Sequence, residues 1–99
     1  MKKETLAISD LDAAVAAVED TTREHTTKCL IAQFAHRITG KVVVGSTSSA
    51  VMFEDNQDSY NFRVKGMSHL VWLFDAQAQK PENIAKIRHE LPLEVEVTY

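Results

Sequence analysis

Three side chains in one stretch of the sequence could do chemistry together: His25, Cys29 and His36. An imidazole beside a thiol can hold a transition metal or activate the sulfur as a nucleophile. His25 and Cys29 are four residues apart, so on a helix both reach one ion. His36 lies seven positions beyond Cys29, about 10 Å along a helix axis, too far for the same tetrahedral site. A structural zinc site wants four ligands, and the sequence has no CxxC or HxxxH to supply them. A nucleophilic cysteine also needs a lowered pKa. Lys28 adjoins Cys29 but points elsewhere on a helical wheel, and no helix N-terminus is aimed at the thiol. The expectation is that there are no catalytic residues, no metal and no cofactor.

Other signals are weaker. Glu54, Asp55 and Asp58 form the densest acidic patch but lack the spacing and central glycine of a calcium loop, so a solvated turn is expected. Gly45-Ser46-Thr47-Ser48-Ser49 lacks the GxxxxGK[ST] phosphate-loop pattern and has a strand after it. Tyr60, Phe62 and Arg63 hint at an RNA-binding sheet face, yet the aromatics alternate inward and the glycine–aromatic signature is missing. Lys80, Lys86 and Arg88, with His89 near a helix end, make only a small basic edge. A formal net charge of −3 also speaks against simple nucleic-acid binding.

The elements that must position these residues follow from periodicity. Ser9-Asp10-Leu11-Asp12 reads as a helix start with Ser9 as cap, and Leu11, Ala14, Val15 and Val18 extend helix 1 over about residues 10 to 20. Thr21 and Glu24 have capping-box spacing. They mark either a break before helix 2 or a position within one continuous helix to Thr39. Leu30, Ile31, Phe34, Ala35 and Ile38 form the apolar stripe of helix 2, and Gly40 is its exit. Strands are expected at 41–44, 50–53 and 59–65, with a turn at Lys65-Gly66. Residues 67–74 are apolar enough to be strand or helix. Their Val, Trp and Phe content favours a strand, in which Trp72 shares a face with Leu70 and Phe74. Pro81 opens a third helix, Pro92 ends it, and Leu93, Val95 and Val97 alternate in a final strand. The order α-α-β-β-β-β-α-β predicts an α+β fold: a mostly antiparallel sheet of four to five strands, packed by two N-terminal helices and one C-terminal helix.

Ninety-nine residues suffice for one small domain. A hydrophobic fraction of 44% and a charged fraction of 25% are those of an ordinary globular chain, not of a disordered or membrane-spanning one. Apolar runs such as Leu70 to Phe74 are far short of a membrane span, and Thr5 to Ile8 is too short for a signal-peptide core. One cysteine permits no internal disulfide, which points to a reducing, cytoplasmic setting.

On a wheel, Cys29 and His36 lie opposite the helix 2 stripe, flanked by His25, Ala32 and Gln33. This is a side of small, weakly polar residues where Lys and Glu would be usual. It packs on alanine-rich helix 1, meets another subunit, or does the chemistry set aside above. Together with the apolar 67–74 segment, it predicts more apolar and small-residue area than the chain can hide. The expected function is a small non-enzymatic protein-binding module. It would be a homodimeric adaptor or inhibitor of the kind phages and mobile elements encode, acting by occluding a partner surface through Cys29, Ala32, Gln33, His36 and Trp72. The alternatives are a small-ligand or enzymatic domain with a pocket between sheet and helices, using His69 or the His25–Cys29 pair, and a nucleic-acid accessory protein.

Overall fold

A computed structural model describes residues 2–20, 29–55, 60–75 and 80–99. The elements run β1 (Lys2–Leu6), α1 (Ile8–Asp20), α2 (Leu30–Thr39), β2 (Val43–Ser46), β3 (Ala50–Phe53), β4 (Phe62–Lys65), α3 (Ser68–Asp75), α4 (Pro81–Glu90) and β5 (Leu93–Thr98). The five strands form one antiparallel sheet in the order β1-β5-β4-β3-β2. The fold is α+β, as the sequence predicts. The sheet has five strands, but the fifth comes from the N-terminal residues 2–6 and not from 67–74.

The 67–74 segment is helical because its large side chains fall at helical intervals. Met67, Leu70, Val71 and Phe74 are buried, whereas Ser68, His69 and Trp72 are exposed. That is the spacing of one helix stripe, and it corrects the expected strand. Gly66, at φ 103°, turns the chain from β4 into this helix. The N-terminal strand carries no apolar alternation to announce it. Lys2, Lys3 and Thr5 are exposed, and only Leu6 is buried.

Helix α1 begins two residues earlier than expected, and Ser9 does not cap it. Asp10 does that work: its Oδ2 accepts the Ala7 N–H at 2.9 Å, and its own N–H donates to the Ala7 carbonyl at 3.0 Å. The capping-box pair Thr21 and Glu24 lies outside the described residues, as does His25. Helix α2 ends as predicted. Gly40 sits in the left-handed region at φ 72°, and its N–H donates to the His36 carbonyl.

One face of the sheet meets the helices. Leu6, Val43, Val51, Phe53, Phe62, Val64, Val95 and Val97 pack in one core with Leu11, Ala14, Leu30, Ile31, Phe34, Leu70, Phe74 and Ile87. The other face is polar. Lys3, Glu96 and Lys65 align across β1, β5 and β4, and Arg63 pairs with Thr98. In β2 the register shifts between Val43 and Gly45. Gly45 fits there because a side chain would approach the Tyr60 hydroxyl to 3.1 Å. The accessible surface of 5702 Å² equals the about 5,700 Å² typical of a folded monomer of this mass. The chain as a whole therefore hides its surface as well as an ordinary single domain does.

Candidate functional site

The five residues expected to meet a partner separate into two sets. Cys29 and Ala32 are buried at 1% exposure each and belong to the core, so neither offers surface to another molecule. Cys29 is the residue before α2 rather than part of it, and the helical wheel does not apply to it. Its Sγ lies 3.2 Å from the Ser46 Oγ, on the inner side of β2. The small-residue side of helix 2 is thus closed within the chain at these two positions. Small side chains there let the helix sit close to the sheet.

Gln33 is half-buried, whereas His36 and Trp72 are exposed. His36 is engaged locally: its Nδ1–H donates to the Lys41 carbonyl at 2.8 Å, just past the end of α2. Trp72 is 67% exposed, the highest value among the large hydrophobic residues described. A side chain that large in water leaves much apolar area unburied.

Trp72 does not stand alone. His69 and Leu73 flank it on the outer side of α3 at helical spacing. Leu73 also lines an open groove of 460 Å³ with Ala85, Lys86, His89 and Glu90 of α4. The His69 Nε2 lies 3.1 Å from the Glu90 Oε1, which ties α3 to α4 across one margin. Both side chains are about half exposed, so this pair contributes orientation more than stability. The outer surface of α3 and α4 thus carries an exposed indole and, at its sequence neighbour Leu73, a shallow apolar groove with Lys86, His89 and Glu90 on its lining. Interface hot spots share this composition. The helical spacing of Met67, Leu70, Val71 and Phe74 was the signal that could have found it. It makes residues 67–74 a helix and so turns Trp72 outward.

The remaining candidates are structural or solvated. Among the described residues, no three His, Cys, Asp or Glu side chains come together to hold a metal ion. Glu54 and Asp55 sit in a turn, with Asp55 3.3 Å from the Lys41 Nζ. Phe62 is fully buried, stacked edge-on to Phe53 at 5.4 Å. The Tyr99 ring lies 5.1 Å from the Phe62 ring and 4.7 Å from the Lys2 Nζ, and is 55% exposed. No helix among the described residues is long and apolar enough to cross a membrane.

The most buried charge among the described residues lies elsewhere. Asp10 is 2% exposed and receives the Arg37 guanidinium through two bonds, Nε to Oδ1 at 2.6 Å and Nη2 to Oδ2 at 3.0 Å. That hydrogen bonding raises the Arg37 pKa above its ordinary value, against a smaller lowering from burial. The pair fastens α1 to α2.

No protein-family model, curated protein or solved structure matches the chain.

Proposed function

We propose that the chain is a small non-enzymatic protein-binding module that engages its partner through the outer α3–α4 surface. The observation that carries this reading is Trp72, two-thirds exposed on the same helix whose Leu73 lines the groove with Ala85. An indole in that setting gains by being covered, and a protein surface is large enough to cover both it and the groove. Such a body acts by occupying a surface of its partner. A second copy of the chain is the simplest partner, since a two-fold contact lets one patch meet itself. A cytoplasmic setting belongs to the same reading, supported by a single buried cysteine in a chain that needs no disulfide.

The test immobilises the native chain, Trp72→Glu and Lys65→Glu, and exposes each to extract of the native host. Proteins held are quantified by mass spectrometry and their affinity is then measured with purified components. Sedimentation velocity of the three chains covers self-association. The expected result is one partner, or a dimer, shared by the native chain and Lys65→Glu and weakened about tenfold or more by Trp72→Glu, at least about 1.4 kcal/mol. Equal binding by all three, or monomers that hold nothing, overturns the reading.

A further inference from the structure

Strand β1 ends the sheet, with β5 on one side and no strand on the other among the described residues. An end strand presents a row of main-chain donors and acceptors with which another strand can pair. In an antiparallel strand that outward row belongs to alternate residues. Thr5 is in the outward set, because Arg37 reaches its carbonyl from α2, Nη2 donating at 2.7 Å. Lys3 and Ala7 therefore share its direction.

Three neighbouring outward groups are already taken. The Thr5 carbonyl accepts from Arg37, the Ala7 N–H donates to the Asp10 carboxylate, and the Ala7 carbonyl accepts the Asp10 N–H. Asp10 and Arg37 also hold each other, so the two side chains work as one piece. We propose that this pair is an edge guard: it occupies the C-terminal half of the β1 edge and prevents a second copy of the chain from adding its own β1 to the sheet.

A second copy is the occupant that the strand itself specifies. An antiparallel pairing centred on Thr5 puts Lys3 opposite Ala7 and Glu4 opposite Leu6 of the second copy, with no like charges facing. That register uses the Thr5 and Ala7 groups that the guard covers. Lys2, Lys3 and Glu4 do not block it, so the protection rests on Arg37 and Asp10. The guard directs any self-association away from the sheet edge, and it is independent of what binds at Trp72.

The experiment compares Arg37→Ala, Arg37→Met, Thr5→Pro and the Arg37→Ala/Thr5→Pro double variant, all in a Trp72→Glu background that removes association through α3–α4. Molar mass is read by light scattering over a wide concentration range, with infrared spectra for intermolecular strand pairing. Proline is tolerated on an edge strand and removes the outward N–H at the centre of the pairing. The parent and Thr5→Pro are expected to stay at monomer mass. Arg37→Ala is expected to double its mass or exceed that as concentration rises, and the double variant to return to monomer. A folded Arg37→Ala chain at monomer mass throughout overturns the proposal, as does association that Thr5→Pro leaves unchanged. Should Arg37→Ala fail to fold, Arg37→Met decides. Its side chain keeps the aliphatic length but has no N–H to give Asp10 or Thr5, so association supports the guard and a folded monomer overturns it.

Discussion

Trp72 and Phe74 stand two residues apart on α3 and point in opposite directions: the indole is 67% exposed and the phenyl ring is fully enclosed. In a strand, residues at this spacing would share a face. In a helix they are separated by about 200°, so the segment can anchor the core with one aromatic and present the other. Trp72→Ala is therefore expected to change stability by no more than about 0.5 kcal/mol, and Phe74→Ala to cost about 3–5 kcal/mol. Urea unfolding of the two variants checks this. A large loss from Trp72→Ala would mean that the indole is packed against its own chain.

The Asp10 carboxylate caps α1 and holds Arg37 at the same time. Asp10→Ala is expected to cost about 1–3 kcal/mol, toward the lower end because the Arg37 side chain is 43% exposed and rehydrates when released. Ser9→Ala, one residue away but making no cap, is expected to stay within about 0.5 kcal/mol. The pH sign follows from Arg37. A cation whose pKa is raised on folding contributes its stability in full below its unfolded value and loses it only as pH rises through the folded one. Titration of Arg37 therefore leaves the clamp intact through the neutral and moderately alkaline range, which thermal melts at several pH values can follow.

Cys29 is enclosed next to Ser46, so a thiol reagent is expected to modify it only on unfolding. The rate of modification should rise with denaturant in parallel with loss of structure. Rapid stoichiometric labelling of the native chain would contradict the burial of this residue.

Gly40 leaves α2 at φ 72° with nothing within 4 Å of the position a Cβ would take. The cost of a side chain there is one of backbone conformation alone. Gly40→Ala is expected to lose about 1–2 kcal/mol, and Gly40→Asn less, since asparagine visits the left-handed region more readily. Equal losses from the two, read by thermal melts, would point to a steric cause instead.

The parts of this fold that were legible in the sequence are those where one face is wet and the other dry. The stripe of Leu30, Ile31, Phe34 and Ala35 and the alternation of Val95 and Val97 with Glu94 and Glu96 carry the period of their elements directly. β1 was not legible because Lys2, Lys3 and Thr5 give it no apolar period; its strand conformation comes from pairing with β5. Residues 67–74 were ambiguous because nearly every position is apolar, and only the contrast of Ser68, His69 and Trp72 with Met67, Leu70, Val71 and Phe74 reveals the helix. At the candidate site, Trp72 was legible as an aromatic worth explaining. Cys29 and Ala32 were misplaced because the wheel assumed a helix starting before Cys29, and a wheel says nothing of how closely β2 approaches.

The most direct test of the docking surface places a photo-activatable benzophenone side chain at position 72 in the living host, with the same group at Lys65 on the polar sheet face as the control. Illumination is expected to give one discrete covalent adduct from position 72, of twice the chain's mass for a self-contact or of another defined mass for a different partner, and none from position 65. No adduct at 72, or the same adducts from both positions, would contradict the account.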